Sequence, residues 1–231
     1  MKTMPHLNPK LGLIASFVRS GLTAADIGCD HALLAINLVQ AGVAKKCFAC
    51  DISEGSLKKA ASNIKKYGLA GQIETILCDG AKGLEPNEID DVIIAGIGPD
   101  VISKIIEEAA WLRDPQKNLV LSPASKPHVL RKYLAAAGFG VLQEEAVLSD
   151  GRYYTVMLAR FDAAVPKDEY FFYRSCFDLQ KEANFGFLSK QLVFLKEKAR
   201  FETPNGGTAL KKIAERLEEE LEQYGNSKRG I

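Results

Sequence analysis

Apolar positions along the first 138 residues alternate between two patterns. Short, mostly apolar runs predict buried strands, and the stretches between them carry apolar residues at three- and four-residue spacing, which predicts amphipathic helices. The predicted strands cover residues 23–27, 46–51, 73–77, 91–95 and 118–121. The predicted helices cover residues 8–19, 31–41, 54–67, 100–111 and 127–137. Strands too apolar to be half exposed, each followed by a helix, predict a parallel sheet covered on both faces.

The pattern changes after Gly138. Residues 140–148 and 153–161 are two predicted strands joined by Ser149-Asp150-Gly151, and Asp-Gly at that place indicates a hairpin. Five strand–helix units finished by an antiparallel hairpin are the strand plan of the Rossmann-like class I methyltransferase sheet. That plan differs from the dinucleotide fold of six parallel strands. The sequence therefore predicts an α/β fold with an antiparallel terminal hairpin.

A third pattern fills residues 166–225. Apolar side chains recur at three- or four-residue spacing over residues 167–201, a turn rich in Gly, Pro and Asn follows at 203–207, and a second apolar seam runs through 210–224. We expect a C-terminal, coiled-coil-like helical hairpin, with Thr208 capping its second helix and a frayed tail from residue 225. The expected domains are residues 1–163 and residues 164–231.

Composition narrows the function classes without selecting one. The 231 residues carry 30 Lys and Arg against 29 Asp and Glu, a net charge of +1, so nucleic-acid binding would need a local basic patch. No apolar run is long enough to span a membrane, and we expect no secretory signal, which favours a cytoplasmic protein. Cys47 and Cys50 match C-x-x-C, but their apolar surroundings indicate buried strand thiols. No second Cys/His pair lies at ligand spacing, so we expect no metal site.

Polar or glycine residues follow the predicted strands at their carboxyl ends. They are Asp26, Gly28 and Asp30 after the first strand, Asp51 after the second, Asp79 and Gly80 after the third, and Gly96 and Gly98 after the fourth. Ligands of open α/β sheets bind at this edge, and an acidic residue ending the second strand can accept hydrogen bonds from both hydroxyls of a ribose. The glycine turn lets the backbone approach a ligand closely.

The charge of this edge bears on the ligand. The G-x-G-x-x-G fingerprint of dinucleotide sites is absent, and carboxylates at Asp26, Asp30 and Asp79 would repel a pyrophosphate. S-adenosylmethionine carries a cationic amine and a sulfonium but no phosphate, so an acidic pocket suits it. Ordinary structural roles stay open at this point: Asp30 as a helix cap, Asp51 and Asp79 as turn residues, and His31 as a hydrogen-bonded structural residue.

The run Asp26-Ile-Gly-Cys-Asp-His31-Ala resembles the D-I-G-[ST]-D-H-A motif of the bacterial tRNA adenine-N1 methyltransferases that act on adenine 22, the TrmK family. The resemblance continues to the last strand, which contains Tyr154, and covers roughly residues 8–160; the helical hairpin agrees with the coiled-coil C-terminal domain of that family. It implies S-adenosylmethionine as methyl donor and tRNA as partner. We expect Asp30 and His31 to be catalytic, orienting the base or accepting a late proton. The expected cofactor-binding residues are Asp26, Gly28, Cys29, Asp30, Asp51, Ile52, Asp79, Gly80, Ala95, Gly96 and Gly98.

The chain departs from the family pattern after the fourth and fifth strands. It has Gly96-Ile-Gly-Pro99 where the family has G-M-G-G, and Leu121-Ser-Pro-Ala124 where the family has an L-Q-P-N-like run. Pro99 lacks a backbone donor, and the Asn amide suited to an adenine edge is missing. Both changes lie on the acceptor side of the expected cleft. Two alternatives therefore stay open, a non-catalytic S-adenosylmethionine- or RNA-binding module and a methyltransferase with another acceptor; the oligomeric state is not predicted.

Overall fold

The computed structural model describes residues 3–164, 168–201 and 207–229. Among these residues, seven strands form one sheet in the order β3-β2-β1-β4-β5-β7-β6. The strands are β1 (Leu22–Ile27), β2 (Ala44–Asp51), β3 (Ile73–Leu77), β4 (Asp91–Ala95), β5 (Asn118–Ser122), β6 (Phe139–Ser149) and β7 (Arg152–Phe161).

The pairing of the strands confirms the predicted Rossmann-like methyltransferase sheet. Strands β1 to β5 pair in parallel, whereas β7 runs antiparallel to both β5 and β6. From β1 the chain first builds outward to β2 and β3, and it then returns to the other side of β1 with β4. In open α/β sheets the ligand crevice lies at such a reversal, so the edge above β1 and β4 is where a site is expected.

Helices cover both faces of the sheet and close an apolar core on each. They are α1 (Pro9–Ser16), α2 (Leu33–Gln40), α3 (Glu54–Tyr67), α4 (Pro99–Glu108) and α5 (Pro127–Ala136), with single 3-10 turns at Pro86–Glu88 and Ala110–Arg113. The first core joins α1, α2 and α3 to the sheet and includes Val156; the second joins α4 and α5 to the other face and includes Met157. These neighbours on β7 face opposite cores because side chains alternate along a strand.

Capping residues in the sequence predicted several helix ends correctly. The side chain of Asn8 accepts a hydrogen bond from the N–H of Leu11 at 2.9 Å, so it caps α1 as predicted. Ser53 caps α3, and Gly68, with φ of 75°, ends it. The predicted start of α2 at residue 31 was wrong by two residues. Ala32, with φ of 55°, lies outside the α region and is the N-cap.

Three helices follow the sheet: α6 (Glu169–Arg174), α7 (Glu182–Phe201) and α8 (Gly207–Arg229). α7 and α8 pack together, which confirms the predicted C-terminal helical hairpin. Residues 175–181 separate α6 from α7, so the helical pattern over 167–201 is not one helix. Thr208 lies inside α8 rather than at its cap, and α8 continues to Arg229 instead of fraying at 225. Of the predicted turn at 203–207, Gly207 is the first residue of α8, and the other residues lie outside the described part of the chain.

A buried polar network attaches these helices to the edge of the sheet. Arg131 of α5 and Glu144 of β6 form an ion pair at 2.8 Å with side chains 1% and 0% exposed. The guanidinium also donates to the carbonyl of Phe172, and the hydroxyl of Ser175 donates to Glu144. Because the chain must present Ser175 here, with φ of 53°, the helical pattern is interrupted between α6 and α7. The predicted boundary between residues 163 and 164 lies beside residues 165–167, which the structure does not describe.

No helix within the described ranges is long and apolar enough to cross a membrane.

Candidate active site

The turn after β1 brings its backbone against β2. The N–H groups of Gly28 and Cys29 both donate to the carbonyl of Cys50, at 2.8 and 2.9 Å. Gly28 has φ of 79°, a conformation that residues with a side chain rarely adopt. Nothing lies within 4 Å of the position where its Cβ would stand, so the turn needs glycine for its backbone conformation and leaves open space beside it.

That open space is part of a cavity of about 350 Å³ at the carboxyl edge of the sheet. It lies over β1 and β4, where the strand order reverses, and its volume is typical of a small-molecule site. The wall is formed by Lys10, Leu11, Asp26, Gly28, Cys29, Asp30, His31, Leu33, Leu34, Ala95 and Gly96. The structure therefore brings together most of the residues predicted after the first and fourth strands.

Asp26 lies on the wall of the cavity and is only 5% exposed. Burial, and secondarily the negative charge of Asp51, raises the pKa of its carboxyl to about 7. A cationic group bound beside Asp26 would favour the ionised form and lower this pKa. The cavity therefore carries a carboxyl whose charge state depends on what occupies the site.

Asp51, at the end of β2, is held in one orientation by two backbone donors. Its Oδ2 accepts the N–H of Asp30 at 3.1 Å, and its Oδ1 accepts the N–H of Ser53 at 2.9 Å. Each carboxylate oxygen keeps a further lone pair. Asp51 is not on the cavity wall itself but beside the turn that forms it, so it can present two fixed acceptors to a ligand that extends beyond the cavity.

Asp30 and His31 stand at the mouth of the cavity. The Nε2 of His31 lies 3.3 Å from the Oδ1 of Asp30, and their side chains are 43% and 73% exposed. Asp30 does not cap α2, because Ala32 is the N-cap and no side chain bonds to the first turn. The amide of Asn63 donates to the carbonyl of His31 at 3.0 Å and fixes the backbone there. Both predicted catalytic side chains are thus free to meet a substrate.

Sequence reasoning missed Lys10, which α1 brings into the cavity. Its Nζ lies 4.8 Å from the centre of the Tyr154 ring, and a Cβ built on Gly96 would stand 3.5 Å from it. Burial lowers the pKa of this ammonium. The residues at the strand ends alone suggested a purely acidic cavity. Lys10 shows that the cavity wall also carries a basic side chain. A lysine at the start of a helix gives no local signal, because the packing of α1 against β7 decides where it points.

Comparison with known protein families agrees with this fold. The sequence matches the Methyltransferase domain family over residues 7–157, well over half of the chain.

The chain belongs to this methyltransferase family.

Similar proteins extend the family match to individual methyltransferases. A Bacillus subtilis tRNA (adenine(22)-N(1))-methyltransferase is 29% identical over 153 residues, which span 66% of this chain and 64% of that protein. A Streptococcus pneumoniae protein solved with bound S-adenosyl-L-methionine is 28% identical, with a TM-score of 0.79 over 92% of this chain and 98% of that one. TrmK of M. capricolum, solved with S-adenosyl-homocysteine, is 26% identical, with a TM-score of 0.73 over 96% and 98%. The matching part of this chain spans less than two thirds of the B. subtilis protein, whereas the structural likeness includes the C-terminal helices.

The remaining predicted residues lie outside the wall of the cavity. Ile52 follows β2 and is 70% exposed, and Asp79 accepts a hydrogen bond from Lys82 at 3.1 Å. A Cβ on Gly80 would stand 3.0 Å from Cγ1 of Ile105, so this glycine also serves the packing of α4. Gly98 is the N-cap of α4 with φ of −66°. Their contact with a cofactor stays a prediction.

The two departures from the family pattern fit the methyltransferase fold. Pro99 occupies the first position of α4, where a missing N–H leaves no helix bond unmade. The N–H of Ala124 donates to the carbonyl of Ile97 at 2.9 Å, which joins the loop after β5 to the loop after β4. Neither residue disturbs the backbone, and neither offers a side-chain amide to an acceptor.

The two cysteines of β2 lie in the core, whereas Cys29 lies on the cavity wall. Cys47 and Cys50 are fully buried in β2, as the sequence predicted. Across residues 3–164, 168–201 and 207–229, no three His, Cys, Asp or Glu side chains come together as a metal site would require.

Proposed function

We propose that this protein is an S-adenosylmethionine-dependent methyltransferase that methylates N1 of adenine 22 in tRNA, and that it acts in the cytoplasm. The observation that carries the proposal is the cavity over β1 and β4 in a methyltransferase fold. Asp26 lies on its wall, and Asp51, with its two fixed carboxylate oxygens, lies beside it along the same edge of the sheet. The choice of adenine 22 of tRNA as methyl acceptor rests on the B. subtilis relative described above, which is a tRNA (adenine(22)-N(1))-methyltransferase. We further propose that residues 1–163 form the cofactor-binding domain and that residues 164–231 form the helical domain.

The residues at the carboxyl edge of the sheet fit S-adenosylmethionine in one orientation along that edge. The cavity, with Asp26 on its wall, suits the cationic methionine end, because an amine and a sulfonium favour a carboxylate. Asp51 then suits the two ribose hydroxyls. The adenine would continue toward β3, where Ile52 offers an exposed apolar surface and Asp79 and Gly80 follow the strand. When bound, the cofactor supplies an electrophilic methyl group on sulfur.

The acceptor side fits a nucleobase that needs orientation rather than activation. The N1 lone pair of adenine is free at neutral pH, so no strong base is required before attack. Alignment with the methyl group and exclusion of water then account for most of the rate. Asp30 and His31, paired at the mouth of the cavity, are placed to orient the base or to accept a late proton. Lys10 lies on the cavity wall, and its ammonium stands over the ring of Tyr154.

Label transfer from S-adenosylmethionine to tRNA tests the proposal. We expect purified protein to move labelled methyl from the cofactor to an unmodified tRNA transcript. Cofactor binding without transfer would instead favour the non-catalytic module. Transfer to a small molecule or protein, but not to tRNA, would favour another acceptor.

A matched pair of variants tests the cofactor site. Asp51→Asn removes one of the two fixed carboxylate oxygens, and we expect it to weaken cofactor binding about tenfold or more, since a charge-assisted hydrogen bond contributes about 1.5–3 kcal/mol. Asp114→Asn is the control, because its carboxylate also accepts the N–H two residues later, at 2.9 Å, but lies at the opposite edge of the sheet. Calorimetric dissociation constants that change equally in both variants would contradict the assignment of Asp51.

A further inference from the structure

Three residues of α7 form a stripe that combines charge with an exposed ring. Lys190, Phe194 and Lys198 are spaced four residues apart, so they lie on one face of the helix. Phe194 is 37% exposed, and the Nζ of Lys198 lies 5.3 Å from the centre of its ring. The Nζ of Lys190 lies 5.0 Å from the ring of Tyr153. We call these three residues the α7 stripe.

Two contacts place the α7 stripe at the edge of the sheet that carries the cavity. Tyr153 and Tyr154 lie near the start of β7, where their side chains point to opposite faces of the sheet, and the Tyr154 ring lies under Lys10 of the cavity wall. Because β7 is antiparallel to β5, its start lies at the edge where β5 ends. In the middle of the stripe, the Phe194 ring lies 6.1 Å from the ring of His128, at the start of α5. The stripe therefore follows the same edge of the sheet as the cavity.

Among the described residues, the lysines of the α7 stripe have no carboxylate partner, whereas two other lysines of the helical hairpin do. Lys196 pairs with Glu218, and Lys211 pairs with Glu215 at 3.8 Å. Within the described part of the chain, no carboxylate lies within 4.0 Å of Lys190 or Lys198. The register of α7 against α8 thus pairs Lys196 with a carboxylate of α8 and leaves Lys190 and Lys198 without a described carboxylate partner.

His128, whose ring lies beside Phe194, has several cations around it. His128 stacks on Tyr173 with ring centres 5.0 Å apart. Burial, and then the charges of Arg131, Lys198, Lys132 and Lys126, lower the pKa of His128 to about 4. Lys132 is itself paired with Glu169, and Arg131 with Glu144. Cations left unpaired beside exposed rings are the usual elements of a surface that tracks a nucleic-acid backbone and stacks its bases.

We propose that the α7 stripe binds the tRNA next to the target nucleotide, with Lys190 and Lys198 on backbone phosphates and Phe194 stacked on an unpaired base. The inference rests on the proposed function and adds the path of the RNA. An adenine that enters the cavity must leave its stack, which exposes neighbouring bases to an aromatic ring. Lys196 and Lys211, whose charges are already paired, lie outside this path.

A double variant with a matched control tests the charges. We compare Lys190→Gln/Lys198→Gln with Lys65→Gln/Lys66→Gln, which removes two lysines from the last turn of α3, one of them also over a ring (Tyr67, 6.0 Å). We expect the stripe variant to raise the KM for tRNA at least tenfold and to lower the slope of log affinity against log salt by about 1.5, since each phosphate contact contributes about 0.7–0.9. The rate at saturating tRNA, the cofactor affinity and the melting temperature should stay unchanged. The control should leave all values within about twofold.

Phe194→Leu tests the stacking separately, because leucine keeps the apolar bulk and removes the ring. We expect the KM for tRNA to rise about fivefold or more with an unchanged salt slope. If wild type methylates tRNA and the two stripe variants match it in KM, the α7 stripe is refuted while the proposed function stands. If wild type transfers no methyl to tRNA but does so to another acceptor, the proposed function itself is refuted.

Discussion

The substitution Asp26→Asn tests the electrostatics of the cavity. In the folded protein, burial and the charge of Asp51 raise the pKa of Asp26 from 3.8 to about 7. Between these values the folded chain holds a proton that the unfolded chain has released. The contribution of Asp26 to stability is therefore fully present below pH 3.8 and is lost as the pH rises toward 7. At 1.36 kcal/mol for each pKa unit, the loss above pH 7 is about 4 kcal/mol.

Asparagine is neutral at every pH, so the variant escapes this loss. We expect Asp26→Asn to be more stable than wild type at pH 8 by up to about 4 kcal/mol, with the difference shrinking by more than half at pH 5. Urea unfolding of the ligand-free protein at both pH values, followed by circular dichroism, measures it. Asp114→Asn, at an exposed turn, is the control and should show no such pH dependence. An equal difference at pH 5 and pH 8 for Asp26→Asn would refute the reasoning.

The pH dependence of cofactor binding gives a second test of the Asp26 carboxyl. A cationic ligand favours ionised Asp26, so below pH 7 the proton must leave when the ligand binds. We expect the affinity for S-adenosylmethionine to rise with pH by up to tenfold for each unit until about pH 7 and then to level off. Calorimetry in buffers of different ionisation enthalpy measures the released proton. A pH-independent affinity in wild type, or the same dependence in Asp26→Asn, would contradict the placement of a cation beside Asp26.

Two further pairs of variants test the turn and the attachment of the C-terminal helices. Gly28→Ala forces alanine into a backbone with φ of 79°, and we expect it to lower the free energy of unfolding by about 1–2 kcal/mol. Gly12→Ala lies inside α1, where nothing stands within 4 Å of the added Cβ, and it should raise the free energy of unfolding by about 0.5–1 kcal/mol. Melting temperatures that shift in the same direction in both variants would contradict this. Glu144→Gln leaves the buried guanidinium of Arg131 without its carboxylate and should cost about 3–5 kcal/mol. Glu218→Gln breaks a partly exposed pair and should cost about 1 kcal/mol or less, so equal losses in urea would refute the buried network.

The strand plan and the position of the site could be predicted because their signals are local. Asp26, Gly28 and Asp51 each stand at the end of an apolar run, and parallel strands bring such ends to one edge. The start of α2 could not be predicted, because the positive φ of Ala32 comes from how the turn meets β2 and not from its own sequence.

Long-range packing decided the rest of the site. Lys10 reaches the cavity only because α1 packs near β7, which no pattern within α1 shows. Ser175 breaks the helical pattern because its hydroxyl donates to buried Glu144 of β6. The sequence likewise shows Lys190 and Lys196 as equivalent basic residues. Only the register of α7 against α8 pairs Lys196 with a glutamate and leaves Lys190 over the ring of Tyr153 without a carboxylate partner in the described ranges.

The position of the transferred methyl group tests the central claim most directly. Wild-type protein is incubated with S-adenosylmethionine and an unmodified tRNA transcript, and in parallel with the same transcript carrying guanine at position 22; both are then digested and read by nucleoside and fragment mass spectrometry. We predict 1-methyladenosine at position 22 of the first transcript and none in the second. No 1-methyladenosine in either transcript, or equal amounts in both, would contradict the account.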